Sequence, residues 1–121
     1  MTPTAGGFKK LPGLWEDGQI ESYKELTRRI HEAGGKIAAQ IYHAGRETSS
    51  AITGEQPVGP SALKDPTMPE TPREMTVEEI HELVEQFRDC ARRAKEAGFD
   101  AVEVHGAHGY LIGSICLSFF Q

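Results

Sequence analysis

Glu96-Ala97-Gly98-Phe99-Asp100-Ala101-Val102-Glu103-Val104-His105 decides the fold, because it passes from a helix stop into a short β-branched run and ends on an imidazole. Glycine in the position of Gly98 is what a helix C-terminus favours. Ala101 to Val104 reads as a buried parallel strand. The stretch that follows, His105-Gly106-Ala107-His108-Gly109-Tyr110-Leu111-Ile112, sets two imidazoles and a phenol close together. They fall at the carboxyl end of the strand, where α/β barrels and open α/β sheets place their chemistry.

Working back from that strand, Thr76 reads as a helix N-cap, with Glu79 completing a capping box and Met75 and Ile80 placed as a hydrophobic staple. The helix of about residues 77–97 should bury Val77, Ile80, Leu83, Val84, Phe87, Ala91 and Ala94. The same pattern occurs earlier. A helix starting near Asp17 carries Ile20, Tyr23, Leu26 and Ile30 as one apolar stripe and stops at Gly34-Gly35. Lys36 to His43 then reads as a strand. Glu32-Ala33-Gly34 and Glu96-Ala97-Gly98 each end a helix and precede a strand with a polar tip, a weak internal repeat of the kind that a repeating β/α barrel leaves. The expected class is therefore α/β, two helix–strand units with parallel strands joined by a right-handed crossover. Ala44 to Met75, with Pro57, Pro60, Pro66, Pro69 and Pro72, reads as a long loop without a clear element of its own, lying over the strand ends as a lid or rim.

Strand alternation sorts the side chains. Ile37, Ala39 and Ile41 share one face, opposite Ala38, Gln40 and Tyr42, and Val102 and Val104 oppose Glu103 and His105. With the aliphatic faces on the helices, Gln40, Glu103 and His105 point to the other side, and Gln40 and His105 are expected to be neighbours across adjacent strands.

Composition restricts the function classes. The chain has 121 residues, 38% hydrophobic and 26% charged, as for an ordinary single domain. A net charge of -5 gives no electrostatic reason for nucleic acid or an anionic membrane as partner. No apolar run approaches the roughly 20 residues of a membrane span. Cys90 and Cys116 show no spacing signal and suit a reducing compartment, so the expected location is cytoplasmic.

Several motifs in order carry a resemblance: Gly13-Leu14-Trp15, Gly35 to Arg46 (ending His43-Ala44-Gly45-Arg46), Pro57-Val58-Gly59-Pro60-Ser61-Ala62, Ala94 to Asp100, and His105 to Ile112. Over about residues 3 to 112 the sequence resembles the Old Yellow Enzyme family of flavin-dependent NADH:flavin oxidoreductases, closest in type to its bacterial xenobiotic-reductase-like branch. The resemblance implies a (β/α)8 TIM barrel that holds FMN, takes hydride from NADH or NADPH and passes it to the β-carbon of an activated alkene such as an enone. By matching position, Gln40 corresponds to the glutamine that hydrogen-bonds the flavin. His105 and His108 correspond to the pair that holds the substrate carbonyl oxygen, with His105 also close to the cofactor, and Tyr110 to the tyrosine that protonates the α-carbon. A barrel of this type needs roughly 250 residues, so residues 1–121 are expected to be a part of one, holding two of the eight strands. The tail, residues 113–121, departs from the family's pattern. The expected partner is a small-molecule activated alkene, and open strand edges would pair with another copy or with the remaining barrel segments.

Two other readings stay open. His105 and His108 could ligate zinc in a barrel-type hydrolase, although the chain offers no convincing acidic or cysteine third ligand near them. Alternatively, the chain is a non-catalytic fragment that self-associates. His31, His43 and His81 are read as structural or solvent-exposed, Gln40 taken alone as an ordinary buried amide, Glu103 as a satisfied interior carboxylate, and the charged residues of 78–96 as a solvated helix face.

Overall fold

A computed structural model describes residues 5–7 and 11–117. A 3-10 turn, Asp17–Gln19, leads into helix α1, Ile20–Glu32, which is followed by strand β1, Ala38–Ile41. Helix α2 (Ser50–Thr53) and strands β2 (Val58–Gly59) and β3 (Arg73–Glu74) come next, then helix α3 (Val77–Glu96), strand β4 (Ala101–Val104) and helix α4 (Leu111–Leu117). β1 and β4 pair in parallel, with Ala38 opposite Ala101 and Ile41 opposite Val104. β2 and β3 form a second parallel pair.

Local sequence sets the helix ends. The Thr76 hydroxyl accepts the Glu79 N–H at 3.2 Å and the Glu79 carboxylate accepts the Thr76 N–H at 2.8 Å, so the capping box forms as read. Glu79 also takes a two-pronged bond from Arg73, at 2.7 and 2.9 Å, and Arg73 first, then the Thr76 N–H, lowers its pKa to about 2. Gly34 (φ 78) and Gly98 (φ 89) end α1 and α3 in the left-handed region. A Cβ on Gly98 would lie 2.9 Å from Thr27 Oγ1. That hydroxyl is buried and donates to the Ala97 carbonyl at 2.7 Å, tying α1 to the end of α3.

The core lies between α3 and one face of the β1–β4 pair: Leu14, Ile41, Cys90 and Ala94, with Tyr23, Ala39, Phe87, Phe99 and Val102 packed on it. Ala39, Ile41 and Val102 thus face the helices, as alternation requires. Ala38, Gln40, Ala101 and Glu103 lie exposed on the other face. Asp100 stitches the strands where they begin. Its carboxylate accepts from Ile37 N–H (3.0 Å), Lys36 Nζ (2.8 Å) and His31 Nε2 (2.7 Å), and Lys36 first, then His31, holds its pKa well below the usual carboxylate range.

The structure corrects several expectations. Val77 and Val84, placed on the buried side of α3, are 63% and 59% exposed, while Cys90 is fully buried. Helical periodicity marks a stripe, but how much of it is covered depends on the neighbouring elements. Val104 is 55% exposed for the same reason, since no helix among the described residues covers that end of β4. The first strand is the four residues Ala38–Ile41 rather than 36–43. The segment 44–75 holds α2 and the β2–β3 ladder, whose bonds run from Arg73 N–H to the Pro57 carbonyl (2.8 Å) and from Met75 N–H to the Gly59 carbonyl (3.0 Å). Finally, Gln40 lies opposite Glu103 and not His105. Among the described residues no helix is long and apolar enough to cross a membrane.

Candidate active site

His105 directly follows β4, and its N–H extends the ladder by donating to the Ile41 carbonyl at 3.0 Å. The chain then reverses in a tight turn. His108 (φ 59) and Gly109 (φ 73) both adopt positive φ, and Tyr110 N–H donates to the Ala107 carbonyl at 3.3 Å, the pattern of a type I′ turn. This reversal returns the His108 ring to His105, with Nδ1 of His108 3.3 Å from Nε2 of His105 and the planes at 88°. The Tyr110 ring stands edge-on to His105 at 5.1 Å. His105, His108 and Tyr110 therefore form one cluster at the carboxyl end of β4.

Backbone hydrogen bonds fix the cluster to β1. Leu111 N–H donates to the His43 carbonyl at 3.1 Å, and Leu111 is fully buried at the start of α4. Gly45 makes this approach possible: it has φ 62, and a Cβ there would lie 2.9 Å from Leu111 Cα. Ser114 closes the first turn of α4, its hydroxyl donating to the Gly109 and Tyr110 carbonyls at 2.9 and 2.8 Å. His43 serves this framework, accepting the Gly45 N–H on Nδ1 at 3.0 Å, and burial pushes its pKa down to about 4.

The hydrogen-bond network also assigns the ring protons. Ala107 N–H donates to His105 Nδ1 at 3.2 Å, so neutral His105 carries its proton on Nε2, facing His108 Nδ1. Neutral His108 then carries its proton on Nε2. Each imidazole has one N–H able to turn to an oxygen. The Tyr110 phenol is pushed above its ordinary pKa, first by burial and then by Tyr42 and Glu47, so it stays protonated at neutral pH.

Tyr42 is a member of the cluster that sequence reasoning missed. Its ring lies 4.9 Å from Tyr110 and 6.1 Å from His105, and its hydroxyl accepts the Gly7 N–H at 3.1 Å. Its alternation with Gln40 was the available signal. Gln40 lies on the open inner face, exposed, and its carboxamide takes no hydrogen bond among the described residues. The long loop supplies Met68 and Pro69 to a cavity of about 220 Å³ bounded also by His108 and Tyr110, as expected of a rim.

The donor set suits a flavin. The Gln40 carboxamide can both donate and accept and stands on an exposed sheet face, which suits a planar heterocycle whose edge alternates carbonyl and N–H groups.

The chain is 48% identical to an NADH oxidase of Thermoanaerobacter brockii over 101 residues, 83% of this chain and 16% of that protein. It is 47% identical to an NADPH dehydrogenase of Geobacillus sp. (strain WCH70) over 100 residues, 83% of this chain and 28% of that protein. The structure of morphinone reductase in complex with tetrahydroNAD superposes with a TM-score of 0.85 at 39% identity, covering 91% of this chain and 35% of the other. The chain thus spans about a third or less of the length of these relatives, and its parallel helix–strand units match a part of their TIM barrel. The profile of the NADH:flavin oxidoreductase / NADH oxidase family matches residues 1–119, and the chain belongs to that family of FMN-dependent NAD(P)H oxidoreductases.

Proposed function

We propose that residues 1–121 form one segment of a flavin barrel that reduces the activated C=C bond of α,β-unsaturated carbonyl compounds. The clustering of His105, His108 and Tyr110 at the carboxyl end of β4, the strand that pairs with the one bearing Gln40, carries this reading.

Gln40 would hold the flavin edge, and His105 lies near enough along the same face to border it. The chemistry that FMN supplies when bound is transfer to the alkene β-carbon of a hydride obtained from NADH or NADPH. His105 and His108 then release each other and direct one N–H each to the carbonyl oxygen. As negative charge develops there, each donor is worth roughly 2.7–4 kcal/mol at comparable oxyanion sites. Tyr110, kept protonated by burial, delivers its proton to the α-carbon, which completes addition of one hydride and one proton across the double bond. Both cysteines are free, Cys90 in the core, which suits the cytoplasmic location we assign. The exposed inner face of Gln40 and Glu103 suits further barrel segments or a second copy.

The test adds FMN and then cyclohexenone to the purified chain and follows flavin fluorescence and the histidine ring signals by NMR. Quenching of the flavin, with shifts confined to His105 and His108, is expected. Shifts at His31 or His81 instead, or none, would overturn the assignment.

A further inference from the structure

Residues 5–7 run alongside the chain that leaves β1. Ala44 N–H donates to the Ala5 carbonyl at 2.8 Å, the buried Thr48 hydroxyl donates to the Gly6 carbonyl at 3.2 Å, and Gly7 N–H donates to the Tyr42 hydroxyl at 3.1 Å. The third bond differs from the others because it ends on a side chain of the candidate site. The backbone just past β1 sets one end of the Tyr42 ring and Gly7 holds the other, so the ring has little freedom left to move.

Tyr110 gains from such support. It follows His108 at φ 59 and Gly109 at φ 73, and the left-handed region disfavours a residue that carries a Cβ, so the turn gains little stability from its own backbone. Its N–H reaches the Ala107 carbonyl only at 3.3 Å. Against its side chain lie the rings of His105, edge-on at 5.1 Å, and Tyr42, tilted by 48° at 4.9 Å, both favourable aromatic geometries. Tyr42 also lies 6.1 Å from His105, which closes a triangle of rings. Of the three, Tyr42 is the one whose hydroxyl is tied to backbone outside the turn. We infer that Tyr42 is a positioning residue: Gly7 N–H pins its hydroxyl, and its pinned ring braces Tyr110 against His105. The inference rests on the role proposed above for Tyr110.

The brace also bears on the acid itself. Burial first, then Tyr42 and Glu47, pushes the Tyr110 phenol up. A ring that swings away from Tyr42 and His105 meets more water, which favours the phenolate and lowers that value. The titratable groups facing Tyr110 are Tyr42, Glu47, His105 and His108. Residues 5–7, α2 and α4 carry no Asp, Glu, Lys, Arg, His or Tyr.

The test reads the full chain by NMR without ligand, following Gly7 amide exchange, cross-relaxation between the Tyr110 and His105 ring protons, and the pH titration of the Tyr110 phenol. Tyr42→Phe keeps the ring and removes only the hydroxyl. It should speed Gly7 exchange roughly two- to tenfold, as loss of one ordinary hydrogen bond implies. It should also weaken the Tyr110–His105 cross-relaxation and bring the phenol down toward the ordinary tyrosine value of about 10. Gly7→Pro removes the same bond from the donor side and leaves both phenols, so it should move the Tyr110 signals in the same direction, and it keeps the test decisive where Tyr42→Phe fails to fold. Tyr110 signals that stay in place in a folded variant of either kind would overturn the brace. So would a phenol titration that drops in Tyr42→Phe but not in Gly7→Pro, since Tyr42 would then act by its charge alone. If Tyr110 follows the Gly7 bond in a chain that fails to bind cyclohexenone, that counts against the proposed function and for the brace.

Discussion

Gly45→Ala tests whether close backbone approach holds the site together. Gly45 has φ 62, and an alanine there meets a left-handed conformation that disfavours L-residues by about 1–2 kcal/mol. Its Cβ would also lie 2.9 Å from Leu111 Cα and 3.0 Å from Leu111 N, backbone atoms that cannot turn aside. Overpacking of this kind costs about 1–3 kcal/mol. The expected loss is therefore about 2–5 kcal/mol, or roughly 4 °C of melting temperature per kcal/mol for a chain of this size. Gly34→Ala separates the two contributions, because Gly34 has φ 78 and nothing within 4 Å of its added Cβ. It should lose only the backbone part, about 1–2 kcal/mol. Urea unfolding followed by far-UV circular dichroism measures both. Equal losses in the two variants would refute the contact between Gly45 and Leu111. A larger loss in Gly45→Ala should come with weaker protection of the Leu111 amide in hydrogen exchange, since its bond to the His43 carbonyl is the one displaced.

Tyr110→Phe in a complete barrel should slow oxidation of reduced flavin by an enone while leaving flavin reduction by the nicotinamide nucleotide unchanged; pre-steady-state kinetics would show equal slowing of both steps if the assignment fails. His108→Asn should gain up to about 1 kcal/mol, since asparagine tolerates positive φ better, and should weaken cyclohexenone binding, as read by thermal unfolding and ligand titration. The depressed pKa of Asp100 makes a contribution to stability that is fully present above its ordinary value and is lost as pH falls below about 4 toward the depressed one. Asp100→Asn should flatten that acid limb of an unfolding-versus-pH curve, and an unchanged limb would contradict the stitch to Lys36 and His31.

What the sequence made legible was set by range of interaction. The capping box of Thr76 and Glu79 and the glycine stops at Gly34 and Gly98 are decided by a few neighbouring residues, and the structure has them as read. The parallel pairing of β1 and β4 followed from the repeated helix–strand units, and the facing of Ala39, Ile41 and Val102 from alternation. Register did not. Gln40 pairs with Glu103 because Asp100 anchors on Ile37, a contact across the fold that leaves no trace in either strand. Tyr42 shared the face of Gln40, but its approach to Tyr110 depends on the reversal at His108–Gly109, which strand alternation does not signal. The two-residue strands β2 and β3 are too short for periodicity to signal, and the seating of Met68 and Pro69 by His108 and Tyr110 depends on how the proline-rich loop folds back.

The parallel pairing of β1 with β4 also has a consequence in time. Ile37 and Asp100, whose bond begins the ladder, lie 63 residues apart. During synthesis at about 5–20 residues per second, β1 leaves the ribosome roughly 3–13 s before its partner exists. Through that interval Ala38–Ile41 presents an unpaired edge, with the aliphatic face of Ala39 and Ile41 uncovered because α3 is also not yet made. The nascent chain is therefore most open to mispairing before α3 and β4 emerge, and a chaperone that shields short apolar strands would matter most in that window.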